Sequence, residues 1–225
     1  VKPISCAIIA RIDEISGLAI AEPAPRFEVR ELAIGSIGSI DFALAAGACL
    51  GLAGPSGAGK TRLLRAMADL DAHAGRCYLD GQSAADFAAP DWRRRVMLLP
   101  AESAWWADTP RPHMQARALD TYLSALDLEP HLLDQPIARL SSGQRQRLAL
   151  IRLLSHEPQV LLLDEPTANL DAANIERVET LIGDYRRRRG ACCVWVGHDH
   201  DQLARVADQQ LALDARGQLL RYSCS

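Results

Sequence analysis

Three short stretches of this 225-residue sequence hold the residue types that handle phosphate. The first is Gly54-Pro55-Ser56-Gly57-Ala58-Gly59-Lys60-Thr61, a G-x-x-x-x-G-K-[ST] pattern. It follows the apolar run Cys49 to Ala53 and leads into Leu63 to Ala68, which reads as helix, so strand, glycine-rich loop and helix stand in the order the pattern needs. Glycines let the backbone turn its N–H groups inward as a concave nest for phosphate oxygens, and the helix adds its positive end. Lys60 is expected to reach the β- and γ-phosphates, and the Thr61 hydroxyl to bind Mg²⁺. The second stretch, Leu161-Leu162-Leu163-Asp164-Glu165, puts two acids at the carboxyl end of a wholly apolar run. That is where ligands bind in open α/β sheets. Asp164 is placed to hold Mg²⁺, directly or through water, and Glu165 to orient and polarise an attacking water. The third, Leu140-Ser141-Ser142-Gly143-Gln144, sets a hydroxyl and a glycine before a helix carrying Leu148, Ile151 and Leu154. On its own it reads as a helix cap; in this company it is also a second anion site.

The elements that must position these residues follow from periodicity. Phe27 to Ile34 and Ile40 to Leu44 alternate with period two and read as strands joined by a turn at Gly35 to Ser39. Gly75 reads as the stop of the first helix, Arg76 to Leu79 as a strand, and Val96 to Leu99 as a short buried strand ended by Pro100. From residue 102 to about 157 the character changes: prolines break the chain, and Leu119, Tyr122, Leu123, Leu126 and Leu128 follow helical spacing. This predicts a small helical subdomain inserted in an α/β core. Val160 to Leu163 reads as a parallel strand buried on both faces. A helix from Ala172 to Arg189, a strand from Ala191 to Val196, a helix near Asp201 to Ala207 and strands at Gln209 to Leu213 and Gln218 to Tyr222 complete the chain. Alternating strands and helices predict a mostly parallel sheet with helices on its faces. Residues 1–25 end in Ala21-Glu22-Pro23-Ala24-Pro25 and read as an appended segment with a stiff linker, leaving 26–225 as the domain.

Taken in order, the phosphate loop, Leu-Ser-Ser-Gly-Gln and Leu-Leu-Leu-Asp-Glu-Pro-Thr closely resemble the ATP-binding cassette (ABC) family of ATPases. Ala168-Asn169-Leu170-Asp171 matches that family's D-loop, and His198, after Val194-Trp195-Val196, matches its switch histidine. The resemblance runs over roughly residues 27–215. It implies a P-loop NTPase core with antiparallel strands near its start, working as a head-to-tail dimer. Each ATP would lie between Gly54 to Thr61 of one copy and Ser141, Ser142, Gly143 and Gln144 of the other, with Asp171 also at the site. Lys60, Glu165 and His198 would be catalytic, His198 through the γ-phosphate, and Thr61 and Asp164 would bind Mg²⁺. The favoured expectation is an ATP-hydrolysing subunit energising a separate transmembrane permease, peripheral on the inner face of the cell membrane. A soluble ABC ATPase acting on ribosomes or DNA, and a slow regulatory subunit, are the alternatives.

Three positions depart from the family pattern. The family's glutamine after the strand Val96 to Leu99 falls on Ala101, with Glu102 next, so Glu102 substitutes or the contact is lost. The aromatic that stacks adenine has no counterpart in Ile34 to Ile37, and Phe27 comes too early, leaving apolar packing and loose nucleotide discrimination as the expectation. Ser142 stands where the signature's second glycine is usual.

Composition narrows the rest. A net charge of -3 argues against a general nucleic-acid surface, and the only lysines are Lys2 and Lys60. The six cysteines form no C-x-x-C pair and read as structural thiols of a reducing compartment. No apolar stretch reaches the ~18 residues of a membrane span, so the chain reads as cytosolic or peripheral. Trp105-Trp106 reads either as a docking surface or as packing against the helical subdomain, and Arg186 to Arg189 as a charged helix end.

Overall fold

A computed structural model of the chain describes residues 24–116 and 118–222. The expectations on residues 1–23, Cys6 and Cys224 lie outside the described residues. Strands β1 (Phe27–Ile34) and β2 (Ile37–Leu44) form an antiparallel hairpin. Its turn is Gly35-Ser36, shorter than predicted, with Gly35 at φ 60°. After β3 (Cys49–Ala53) and helix α1 (Lys60–Met67), β4 (Ala74–Leu79) returns to pair with β1, and β5 (Gln82–Ser83) completes a sheet of order β2-β1-β4-β5. Gly75 therefore does not stop a helix. It sits inside β4 at φ 83°, where a Cβ would come within 2.3 Å of the Glu31 carbonyl oxygen. The helix ends eight residues earlier, and the left-handed residue after it is Asp69, at φ 54°.

The chain continues through α2 (Ala89–Arg95), β6 (Val96–Leu99), α3 (Leu119–Ala125), α4 (Ser142–Ser155), β7 (Val160–Asp164), α5 (Ala172–Arg189), β8 (Cys192–Val196), α6 (His200–Val206), β9 (Gln209–Leu213) and β10 (Leu219–Tyr222). The second sheet has the order β10-β9-β3-β8-β7-β6, parallel from β9 to β6, with β10 antiparallel at its edge. Every residue of β3, β7 and β8 is buried, because both faces of this sheet are covered. Successive side chains point to opposite faces. Leu161, Leu163, Cys193 and Trp195 pack with α4 and α5. Val160, Leu162, Cys192 and Val194 pack with α1 and the antiparallel sheet. The parallel sheet is thus the middle layer of three.

Between β6 and β7 the chain is helical, as its spacing predicts. Prolines open single 3-10 turns at Arg111–His113 and Pro130–Asp134, where a missing N–H costs nothing. Leu123, Leu126, Leu132 and Leu133 join Leu148, Ile151 and Leu154 of α4 in one apolar cluster. Helix α2 has no strong sequence signal, since Trp92 is its one buried residue; the indole N–H donates to the Met67 carbonyl at 3.0 Å. The arginine-rich end of α5 is tied within the chain: Arg186 donates to the Gly47 and Val206 carbonyls and meets Asp208, while Arg189 meets Glu157. Cys49, Cys77, Cys192 and Cys193 are free and buried. Among the described residues, no helix is long and apolar enough to cross a membrane.

Candidate functional site

The phosphate loop leaves the carboxyl end of β3 and enters α1. Gly54, at φ 148°, must be glycine because a Cβ there would stand 2.7 Å from the Leu213 carbonyl oxygen of β9. Gly59, at φ 94°, starts α1 in the left-handed region that lets the loop fold under its own helix. Pro55 and Ser56 lie exposed on the loop, and Ala58 is buried beneath it, its N–H donating to the Pro55 carbonyl. Lys60 is only 6% exposed, and its Nζ donates to the carbonyls of Gly54 at 2.7 Å and Pro55 at 3.0 Å. Burial lowers its pKa, against the pull of Glu165 and Asp164.

Strand β7 brings the two acids to the same edge. Asp164, 3% exposed, accepts the Thr61 hydroxyl at 2.7 Å, closing a contact across 103 residues. Burial holds its carboxyl above the usual carboxylate range, with the Thr61 bond opposing. Glu165 follows at φ 51°, a left-handed conformation unusual for its residue type, and its N–H donates to the Val196 carbonyl at 3.1 Å. That bond ties the ends of β7 and β8 together. His198, two residues beyond β8, meets Glu165 with Nε2 to Oε1 at 2.8 Å. Ser56, Gly57, Gly59, Lys60, Thr61, Glu165 and His198 line one cleft of about 320 Å³. Arg62 also lines it; sequence reasoning passed over this residue, whose only signal is its place directly after the motif.

Ser141 to Gln144 form a capping box at the start of α4. Ser141 Oγ accepts from the Gln144 N–H at 3.1 Å, and Gln144 Oε1 accepts from the Ser141 N–H at 2.9 Å. Ser141 and Ser142 are exposed, and a Cβ on Gly143 would meet Leu170 at 3.2 Å, so this helix start packs on the turn before α5. Asp171 caps α5, accepting from the backbone and side-chain N–H groups of Asn174 at 2.9 Å, and the backbone bond holds its carboxyl below the usual range. Asn174 Oδ1 in turn accepts from Arg147 of α4 at 2.9 Å. None of Ser141 to Gln144 or Asp171 lines the Lys60 cleft of their own chain. Ala101 and Glu102 lie with Ser142, Arg145 and Asn169 on a different cleft, of about 350 Å³. The Arg152 guanidinium lies 4.5 Å from the Trp105 ring centroid, whereas Trp106 is 76% exposed and meets the His113 ring at 4.3 Å with a 45° tilt.

A phosphate loop at the carboxyl edge of a parallel sheet, facing a strand that ends in a buried aspartate, defines a phosphate-loop nucleotide-binding fold. A family model described as ABC transporter matches residues 37–168, and the chain belongs to that family. It is 36% identical over 209 residues to Protein STAR1 of Oryza sativa subsp. japonica, covering 84% of this chain and 60% of that protein. It is 37% identical over 193 residues to the hemin import ATP-binding protein HmuV of Nocardia farcinica, covering 78% of this chain and 66% of that one. The aliphatic sulfonates import ATP-binding protein SsuB of Cupriavidus necator is 35% identical, with 91% of this chain and 70% of that protein covered. The chain thus spans between 60% and 70% of the length of these three curated relatives. Among solved structures, a bacterial Atm1-family ABC exporter with ATP bound shares the fold at a TM-score of 0.76 and 24% identity, over 88% of this chain and 40% of that one. The cbiO1 protein of Clostridium perfringens, part of the transporter complex cbiONQ, shares it at 0.72 and 22%, over 88% and 87%.

Proposed function

We propose that this chain binds ATP with Mg²⁺ and hydrolyses it to ADP and phosphate, energising transport through a separate membrane permease. The observation that carries this reading is the meeting of Lys60, the Thr61–Asp164 contact and the Glu165–His198 pair at one cleft. Relatives named for import and for probable iron export share the words ATP-binding protein, which supports the nucleotide role in particular.

In this reading Lys60 exchanges two loop carbonyls for phosphate oxygens, and the anionic charge offsets the burial that lowers its pKa. Thr61 and Asp164 fit Mg²⁺: they are neighbouring oxygen donors, one a buried carboxylate whose charge a cation would stabilise. Among the described residues no cluster of three or more His, Cys, Asp or Glu is placed to hold a metal, so further oxygen ligands would come from phosphate and water. Bound Mg²⁺ supplies charge neutralisation on the phosphate oxygens. Glu165 orients a water in line with the γ-phosphorus and takes its proton as the new P–O bond forms and the bond to the ADP oxygen breaks. His198 fixes the Glu165 carboxylate through their 2.8 Å bond and lies within the same cleft as the γ-phosphate it would contact.

Ser141 to Gln144 and Asp171 act in this reading on the ATP of a second copy, in a head-to-tail pair. Residues 26–225 form the nucleotide-binding domain, with the helical stretch at about 102–157 as its subdomain, and the transmembrane permease holds the chain at the cytoplasmic face of the membrane. Glu165→Gln is expected to retain ATP, to accumulate as a closed dimer in size-exclusion chromatography, and to lose hydrolysis by on the order of a hundredfold or more. Hydrolysis at the wild-type rate would overturn the role of Glu165. Gentle solubilisation of membranes from the source cell should recover a multi-spanning chain in stoichiometric amount; recovery from the soluble fraction alone would overturn the transport reading.

A further inference from the structure

Among the described residues, no Phe, Tyr or Trp lines the cleft described above. Phe27, Ile34 and Ile37 of the neighbouring hairpin are 0%, 5% and 3% exposed and belong to the core. Ile34 and Ile37 are therefore spent on the core and do not line this cleft. Two planar cationic or aromatic groups line it, and one of them, His198, is engaged with Glu165. The other is Arg62.

Arg62 is exposed, and Asp71, the acid whose carboxyl feels its charge, is engaged at 2.8 Å with Arg65 instead. Its guanidinium reaches from the first turn of α1 to the β1–β2 turn. A Cβ placed on Gly35 would lie 2.6 Å from Nη1, 2.9 Å from Nη2 and 3.0 Å from Cζ. The guanidinium thus fills the space a side chain at position 35 would need, and Gly35 at φ 60° leaves that space to it. A planar and weakly hydrated cation held between a phosphate cleft and a turn is suited to stack on an aromatic ring.

We propose that Arg62 is the platform on which the base of the bound nucleotide stacks, resting on the nucleotide reading of the cleft. Every base has a π-face, so such a platform grips without reading the base edge. Purine nucleotides should then bind with similar affinity.

The test titrates ATP, GTP and inorganic tripolyphosphate, each with Mg²⁺, into the full chain by calorimetry. In the wild type ATP and GTP should differ by only a few-fold, as edge-blind stacking requires. Arg62→Ala should weaken both by about tenfold, the scale of a partly desolvated cation–π contact, and leave tripolyphosphate unmoved. Arg62→Lys keeps the charge but not the plane and should resemble Arg62→Ala, whereas Arg62→Trp should restore affinity. Equal losses for tripolyphosphate and ATP, rescued by Arg62→Lys, would make Arg62 a phosphate ligand and overturn the proposal. Unchanged ATP binding in Arg62→Ala would overturn it as well. A wild-type chain that binds none of the three ligands would instead overturn the nucleotide reading of the cleft.

Discussion

The starts of α1 and α4 both carry small residues and hydroxyls suited to an anion, yet they differ in what surrounds them. At α1, groups from β3, β7 and the segment after β8 converge: Lys60 on the loop carbonyls, Thr61 on Asp164, Glu165 on His198. At α4, Ser141 and Gln144 satisfy each other, and Ser141 and Ser142 face solvent. The first is a site assembled within one chain. The second is a finished cap with no ligand-facing partner from its own phosphate loop. A helix start that is capped, exposed and outside the Lys60 cleft is what a half-site offered to another molecule would be, and the contrast can be attacked from either side.

Lys60→Ala should have the largest effect, since it removes the one cation buried at the loop. Nucleotide affinity is expected to fall on the order of a hundredfold, a charge-assisted contact in a partly dry site, measured by equilibrium binding. An unchanged affinity would mean that the wired side is not the nucleotide side. Ser141→Ala should leave ATP affinity of the isolated chain unmoved, lower steady-state hydrolysis, and cost about 1 kcal/mol of stability through the lost cap. Loss of binding in the monomer would erase the difference between the two helix starts.

Asp164→Asn sharpens the comparison with a smaller effect. Burial raises the pKa of Asp164, so the folded chain holds this proton more tightly than the unfolded chain does. Stability therefore falls as pH rises from about 4, the unfolded carboxylate value, through the raised folded value, and stays lower above it. The variant should melt higher than wild type at neutral pH without nucleotide, and lose the stabilisation that Mg²⁺ and ATP add. Thermal melts across that pH range, with and without nucleotide, check both halves.

Much of the fold is legible because it rests on local signals. Val160 to Leu163 reads as a buried parallel strand from its unbroken apolar run and Ala191 to Val196 as a strand, and the structure has them at Val160–Asp164 and Cys192–Val196, with α5 over Ala172–Arg189 as predicted. Helix α2 is not legible, because seven residues with one buried side chain have no periodicity to measure. Gly75 misleads because a glycine with positive φ serves a helix end or a strand irregularity equally well, and only the Glu31 carbonyl beside it decides. The candidate site divides in the same way. Its motifs are contiguous and name themselves, whereas the Thr61–Asp164 contact spans the sheet, and the reach of Arg62 to Gly35 depends on a turn whose length the sequence overstates.

The hydrogen-bonded line from Asp171 through Asn174 to Arg147 ties the start of α5 to α4, and the Gly143–Leu170 packing adds a second tie. Two helices pinned at their ends behave as a rigid crosspiece rather than as independent rods. A push delivered at Asp171 therefore arrives at Ser141 with little lost to local bending, and the two should loosen together, as a single cooperative unit, when amide hydrogens exchange with solvent.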